Sequence, residues 1–208
     1  MSEPHKTRPA NRLWIDTETT GLDPVKGEVI EIAIVTETVA PDGGGTIIES
    51  WATKIAPERI EDASPKALEV NGYTPEAWAG APTFAEVAPE IARRLASGSV
   101  VCGHNVGFDV GFIEAAFARI GSGVRIPYHK LDTVTLAYAA WNGTGTGPGL
   151  SLDKLRKHLG IPLEGSHSAL KDALDARTVY YEALTSLRES GFSLRSTGEA
   201  AQEAPSSP

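Results

Sequence analysis

The feature that most constrains this chain is a change in the period of its apolar residues. Three apolar, β-branched runs come first, at 12–16, 29–36 and 46–54, and turn-forming residues separate them. Beyond them the apolar residues recur at helical spacing, with capping residues before several segments. The three runs predict an antiparallel strand meander. The helices and further strands that follow predict a layered α/β or α+β domain.

The second part of the chain carries several helix-start signals. The pairs Ser64-Pro65 and Thr74-Pro75 predict two helix starts, and Thr83 with Glu86 predicts a capping box before a helix to about residue 96. Pro89 should kink or shorten that helix, because it lies beyond the first turn. Further helices are predicted at 109–120, 133–141, 152–159 and 168–189, and further strands at 99–103 and 125–131. Most of the expected apolar stripe of the last helix is supplied by Leu170, Leu174, Tyr181, Leu184 and Leu187.

The composition is that of one soluble domain with polar ends. Residues 1–10 are expected to be a disordered lead-in, 11–192 the folded domain and 193–208 a disordered tail. A single cysteine, Cys102, excludes an intrachain disulfide and favours the cytoplasm, and no apolar run is long enough for a membrane span. The net charge of −8 argues against a broad duplex-binding groove. It is compatible with a site that holds a short single-stranded end.

A first pair of candidate functional residues follows the first predicted strand. Asp16 and Glu18 alternate, so an extended backbone projects both carboxylates to one side, with Cα atoms about 7 Å apart. Two carboxylates this close repel each other unless a cation lies between them, and hard oxygen ligands favour Mg²⁺ or Mn²⁺. The alternative is a solvated acidic turn.

Two further clusters have similar alternatives. Asp109 ends the sequence HNVGFD after a predicted strand, where it would also serve as an ordinary helix N-cap. His167 and Asp172 would point in different directions on a continuous helix, so they share a site only if His167 lies on the preceding loop. There His167 would be a general base and Asp172 a metal ligand, with Asp175 as the rival ligand. The alternative is a surface histidine and an exposed carboxylate.

Taken together, three segments resemble the motifs of the DEDDh exonucleases. They are DTETTGLD at 16–23, HNVGFD at 104–109 and HSALKD at 167–172. The resemblance extends over 12–187 and points to the exonuclease domain of the DNA polymerase III epsilon proofreading subunit and its stand-alone relatives. The implied fold is ribonuclease-H-like: a mixed central sheet that contains the predicted meander and is flanked by helices. The domain at 11–192 would then be the exonuclease domain.

The resemblance also implies a role for each matched position. Two Mg²⁺ ions, for which Mn²⁺ can substitute, would be held by Asp16, Glu18, Asp109 and Asp172. His167 would accept the proton of the attacking water. Thr19 and Leu22 would meet the terminal nucleotide, with Leu22 as an apolar wedge. His104, Asn105 and Phe108 would line the pocket, although Phe108 is equally explained as core.

The implied function is a two-metal 3′–5′ exonuclease that releases nucleoside monophosphates from single-stranded DNA in proofreading or repair. One alternative is a 3′–5′ exoribonuclease, but sequences resembling oligoribonuclease carry leucine and methionine where this chain has Thr17 and Thr19. Another is a catalytically silent nucleic-acid-binding module. The presence of a suitable residue at all five catalytic positions argues against it. We expect a stand-alone enzyme, with a homodimer as one arrangement. Contact with a polymerase catalytic subunit is not expected, since the residues after Phe192 are few and polar.

Overall fold

A five-stranded mixed sheet forms the centre of the protein. The computed structural model describes residues 11–40, 43–143 and 145–191, so the polar ends predicted at 1–10 and 193–208 lie outside the described residues. The strands are β1 (Arg12–Thr19), β2 (Val29–Val39), β3 (Gly45–Lys54), β4 (Val100–Gly103) and β5 (His129–Asp132). Their order is β3-β2-β1-β4-β5. Antiparallel pairing of β1 with β2 and of β2 with β3 confirms the meander, while β4 and β5 run parallel to β1.

Helices cover both faces of this sheet. They are α1 (Pro65–Val70), α2 (Phe84–Leu95), α3 (Val106–Arg119), α4 (Thr133–Ala137), α5 (Leu152–Leu159) and α6 (Ala169–Glu189). On one face Leu13 and Ile15 pack with residues of α2 and α3, and on the other Trp14 packs with α6. Strands buried on both sides read as continuous apolar runs. The predicted α/β, ribonuclease-H-like architecture is therefore confirmed, and none of the described helices could span a membrane.

Local capping signals placed several helix ends correctly. Ser64 caps α1 with Pro65 in its first turn, and Thr83 with Glu86 forms the predicted capping box of α2. Gly160 ends α5 in the left-handed conformation, with φ of 69°. These predictions held because each depends on contacts within a few residues of chain.

Three predicted helices and one predicted strand differ in the structure. Pro89 does not shorten α2, since the capping box and a fully buried apolar face outweigh one lost hydrogen bond. Thr74 accepts a hydrogen bond from Ala77 N, but the chain then continues in turns to Gly80. The helix predicted at 133–141 divides into α4 and a π-helical turn at Tyr138–Asn142. The strand predicted at 125–131 is only β5, because its partner β4 is equally short.

The buried face of α6 is not the predicted leucine face. Its buried apolar residues are Ala169, Ala173, Ala176, Val179, Tyr180 and Ala183. Leu170, Leu174 and Leu184 are half-buried and pack at the sides. Alanine lacks the bulk that would hold a helix away from the sheet, so α6 lies close to Trp14 and Ala33. The predicted residues therefore form the sides of the buried face. The alanines at its centre were missed because the prediction ranked residues by hydrophobicity, whereas a close approach of helix to sheet favours small side chains.

Candidate active site

The strand β1 carries the first two acidic residues beyond the end of its parallel neighbour. It extends to Thr19, so Asp16 and Glu18 both lie in an extended strand, as predicted, and not in the alternative, a solvated acidic turn. β4 pairs with β1 only as far as Trp14 and Cys102. A Cβ on Gly103 would lie 3.0 Å from the Ile15 carbonyl oxygen, so the chain crosses tightly here before it turns into α3. Asp16 and Glu18 lie beyond this point of β1, on the same face of the sheet as Trp14, which α6 covers.

Asp109 enters this region from α3. The helix begins at Val106, earlier than predicted, and Asn105 precedes it in the left-handed region, with φ of 64°. Asp109 is therefore not the helix cap. Its Oδ1 accepts hydrogen bonds from Thr17 N and Thr17 Oγ1, both at 2.8 Å. These bonds fasten the carboxylate to the strand that carries Asp16 and Glu18.

His167 and Asp172 complete the cluster from the start of α6. The helix begins at Ala169, so His167 lies on the preceding loop, which is the arrangement that convergence requires. Its φ of 65° is uncommon for a residue with a side chain. Ligand-capable atoms of Glu18, His167 and Asp172 all lie within 4.8 Å of one another. Glu18 and Asp172 are buried, whereas His167 is exposed to solvent.

The electrostatics of the site are those of crowded acids. Burial, followed by repulsion from Asp109, Asp172 and Glu18, raises the pKa of Asp16 well above its usual value. Burial and the charge of Asp172 raise the pKa of Glu18 from 4.5 to about 7. Burial also raises the pKa of Asp109 to about 7, against the hydrogen bonds from Thr17. Removing water from like charges at this spacing is unfavourable, and a bound cation would relieve it.

The rival ligand Asp175 is already occupied by cations. Its Oδ2 accepts hydrogen bonds from Arg156 Nε and Lys171 Nζ, both at 2.7 Å. The same guanidinium donates from one terminal nitrogen to Asp172 Oδ1 at 2.5 Å. Asp172, unlike Asp175, also lies within ligand distance of Glu18 and His167. The geometry thus favours Asp172 as the acid of the site.

The two residues predicted to meet the terminal nucleotide lie at the end of β1 and on the loop that follows it. Thr19 is buried, and its Oγ1 donates to the Gly21 carbonyl oxygen at 2.7 Å, so its hydroxyl proton is used within the turn. Leu22 is 87% exposed, although it is a large apolar side chain. Arg119 anchors this loop through hydrogen bonds to the carbonyl oxygens of Pro24, Val25 and Gly27. Leu22 therefore protrudes from an anchored loop.

The three predicted pocket residues have different surroundings. His104 is half-buried, and its ring nitrogens contact Thr133 Oγ1 and the Leu150 carbonyl oxygen, both at 2.8 Å. Since a carbonyl only accepts, Nε2 carries a proton. Asn105 is exposed and donates its backbone N–H to Asp132 Oδ1. Phe108 is half-buried and packs on the core, with its ring centroid 4.8 Å from that of Phe112.

Sequence reasoning missed three supporting residues. Thr17 binds Asp109, Asp132 pins the backbone of Asn105 and caps α4 through Val134 N, and Arg156 binds Asp172. Asp132 and Arg156 fall within the segments LDT and SLDKLRKHLGI, whose polar positions signal more than core packing. No local pattern marks Thr17, since its partner is 92 residues away.

The donor set of this site fits a hard divalent cation. Carboxylate oxygens dominate it, with one imidazole at the rim, and such oxygen-rich sites suit Mg²⁺ and Mn²⁺. The carboxylates of Glu18 and Asp172 would be ligands in the set that includes His167. Asp16 and Asp109 lie outside that set, but the charge of Asp109 acts on Asp16 more strongly than that of any other acid. They would supply carboxylate oxygens for a second cation.

Comparison with known protein families identifies the family of this chain. Residues 13–180, which include every member of this cluster, match the family model described as RNase_T, exonuclease. The chain belongs to the RNase T/DEDDh exonuclease family. The predicted resemblance to the exonuclease family is thus confirmed.

Several curated relatives of this exonuclease domain are similar over most of its length. The DNA polymerase III subunit epsilon-like protein of Rhodobacter capsulatus is 35% identical over 85% of this chain and 24% of its own. DNA polymerase III PolC-type of Thermotoga maritima is 31% identical over 88% of this chain but 12% of its own. DNA polymerase III subunit epsilon of Aquifex aeolicus is 32% identical, over 83% of this chain and 80% of its own. The chain thus spans less than a quarter of the first two.

Solved structures extend the likeness of the exonuclease domain at the level of the fold. Escherichia coli exonuclease I in complex with single-stranded DNA superposes with a TM-score of 0.68 at 21% identity. The match covers 88% of this chain and 42% of that one. The complex with a dT13 oligonucleotide matches equally well. At this identity the likeness shows a common fold.

Proposed function

We propose that this exonuclease domain removes nucleoside monophosphates from the 3′ end of single-stranded DNA, in proofreading or repair. The observation that carries the proposal is the meeting of Glu18, His167 and Asp172 beside Asp16 and Asp109. A silent binding module would have no need of clustered, buried carboxylates, which destabilise the fold. DNA is favoured because relatives of the chain are named as DNA polymerase III components and a structural neighbour holds single-stranded DNA.

Each residue of the cluster has a distinct task in the proposed reaction. Asp16, Glu18, Asp109 and Asp172 hold two divalent metal ions, Mg²⁺ or Mn²⁺, by their carboxylate oxygens. When bound, such ions neutralise the phosphodiester and lower the pKa of water. His167 accepts the proton of the attacking water on an unprotonated ring nitrogen, from a solvent-exposed loop that can release that proton. Because His167 lies within 4.8 Å of Glu18 and Asp172, its imidazole would lie beside a phosphodiester bound at those acids.

The loop after β1 would position the strand end. Leu22 offers an apolar surface to the terminal base, and the anchoring of the loop by Arg119 limits the entropy lost on binding. A short single-stranded end requires few phosphate contacts, which is compatible with the acidic charge of the chain. His104, through Thr133 and Leu150, would fix the wall of the pocket.

Directional cleavage of labelled strands tests this function. The protein is incubated with 3′-labelled and 5′-labelled single-stranded DNA and RNA of the same sequence, with Mg²⁺, Mn²⁺ or EDTA. We expect mononucleotides from the 3′ end, no reaction in EDTA and faster cleavage of DNA than of RNA. His167→Ala should lower the rate at least a hundredfold, in the range of a general base. His129→Ala, a matched change in exposed β5, should leave the rate unchanged.

Other product patterns would contradict specific parts of the proposal. Internal cleavage or full activity in EDTA would exclude the metal-dependent exonuclease mechanism. Faster cleavage of RNA would replace the proposed substrate with the exoribonuclease alternative. Binding of single strands without cleavage in any metal would support the silent module. Gel filtration with light scattering during the same work decides between the monomer and the homodimer.

A further inference from the structure

A buried cation lies beside the acidic cluster. Arg156 is on α5 and is 1% exposed, and its guanidinium has a carboxylate partner for each of its three nitrogens. Nε donates to Asp175, and the terminal nitrogens donate to Asp153 at 2.8 Å and to Asp172 at 2.5 Å. A buried charge is costly unless paired charges and hydrogen bonds offset its loss of water. Here one cation is shared among three acids, one of which is a member of the site.

The partners of those acids indicate which of them depends on Arg156. Asp175 has a second cation, since Lys171 Nζ lies 2.7 Å from the same oxygen. Asp153 is 46% exposed, so water stabilises its charge. Among the described side chains, Arg156 is the cation that forms an ion pair with Asp172, whose side chain is 11% exposed. The charge of Arg156 is therefore most consequential at Asp172.

The geometry of this contact also restricts the orientation of Asp172. A guanidinium is planar, and its three nitrogens are bonded here to residues of two helices, α5 and α6. Arg156 cannot rotate without breaking bonds to both. Because one terminal nitrogen holds Asp172 Oδ1, the second oxygen of that carboxylate is left for another ligand.

We propose that Arg156 is a positioning residue of the metal site, which orients Asp172 and partly neutralises the acidic cluster before metal binds. This inference rests on the proposed function, since it assigns Asp172 to the metal. The ion pair supports it: a terminal nitrogen of Arg156 lies 2.5 Å from Asp172 Oδ1, and Asp172 lies within 4.8 Å of Glu18 and His167.

Conservative substitution separates orientation from charge. Arg156→Lys keeps a positive charge but loses the planar, three-way donor geometry, so it tests orientation. Asp153→Asn is the matched control, because it weakens another bond of the same guanidinium at a partly exposed position. The readouts are the dissociation constant of Mn²⁺, from calorimetry on EDTA-stripped and dialysed protein, and kcat and KM on single-stranded DNA.

We expect Arg156→Lys to weaken Mn²⁺ binding about tenfold, as the loss of one charge-assisted hydrogen bond predicts. It should lower kcat at fixed Mn²⁺ with little change in KM, and high Mn²⁺ should recover part of the rate. Asp153→Asn should bind Mn²⁺ within about twofold of the unaltered protein. A lysine variant that binds Mn²⁺ as tightly as the unaltered protein would overturn the inference, and so would equal weakening by Asp153→Asn.

If the lysine variant does not fold, an NMR measurement on the unaltered protein tests the inference. The Nε–H of Arg156 is buried and hydrogen-bonded, so its ¹⁵N resonance should be observable near neutral pH and should shift as Mg²⁺ is added. If saturating Mg²⁺ does not shift this resonance, Arg156 only links α5 to α6 and has no role in the metal site. The two proposals also fail separately. If the protein cleaves DNA but Arg156→Lys binds Mn²⁺ with an unchanged dissociation constant, the proposed function stands and the inference fails. If the Arg156 resonance responds to Mg²⁺ but no cleavage occurs, the inference stands and the proposed function fails.

Discussion

The metal-free protein should become less stable as the pH rises from 5 to 8. Glu18 has its pKa raised from 4.5 to about 7 by burial and by the charge of Asp172. The folded state therefore binds a proton in a pH range where the unfolded chain has released it. By linkage, this contribution to stability is present below pH 4.5 and is lost as the pH rises through about 7.

The size of this effect can be worked from the same shift. A tenfold change in proton affinity is worth 1.36 kcal/mol. The shift of Glu18 alone therefore corresponds to about 3 kcal/mol of folding stability, lost as the pH rises from 4.5 to about 7. Asp16, Asp109 and Asp172 shift in the same direction, but the four acids share their repulsion and their effects do not add. Against a total stability of about 5–15 kcal/mol, a loss of about 3 kcal/mol is readily measured.

Urea unfolding at pH 5, 6, 7 and 8 in EDTA, followed by tryptophan fluorescence, measures this dependence. Saturating Mn²⁺ at pH 8 should restore stability, by about 2.7 kcal/mol at a hundredfold excess over its dissociation constant. Glu18→Gln is the control, because it removes the titrating group at nearly constant shape. It also isolates Glu18 from His104, whose pKa is lowered by burial and whose contribution runs the opposite way. Equal slopes for both proteins, or no effect of Mn²⁺, would refute the reasoning.

Two further substitutions test the surroundings of the site, and a third tests the packing at the start of β3. Thr17→Val removes the 2.8 Å hydroxyl bond to Asp109 at constant shape, so kcat should fall about tenfold while Thr17→Ser keeps it, in the labelled-strand assay. Leu22→Ala should raise KM for single-stranded DNA severalfold with an unchanged melting temperature, because this side chain is 87% exposed. Gly45→Ala should lower the free energy of unfolding by at least about 2 kcal/mol in urea titrations, since its Cβ would overlap the buried Glu37 carboxylate.

The parts of the fold that the sequence predicted depend on short-range patterns. β-branched runs separated by turns predicted β1, β2 and β3, and the capping box predicted the start of α2. The spacing of Asp16 and Glu18 predicted carboxylates on one side of an extended segment. Each of these inferences needs only neighbouring residues. Their combination into one cluster came from the resemblance to a family and not from spacing.

What the sequence could not predict depends on contacts between distant segments. The bond from Thr17 to Asp109 joins residues 92 positions apart, and no local signal marks either as a partner. Arg156 reads as one more cation of an amphipathic helix until α5 is packed against α6. The start of α3 was misplaced because Asn105 adopts a left-handed conformation that local preferences rarely favour.

The alanine face of α6 helps to set the distance between two acids of the site. Asp172 is carried by this helix and Glu18 by β1, so the separation of the two acids depends on how deeply the methyl groups of Ala169, Ala173 and Ala176 seat against the sheet. A larger side chain at any of them would push α6 away from the sheet. The gap between the acids would widen while every ligand stayed in place in the sequence. A substitution at Ala173 or Ala176 would therefore weaken the site although both residues lie outside the three motifs.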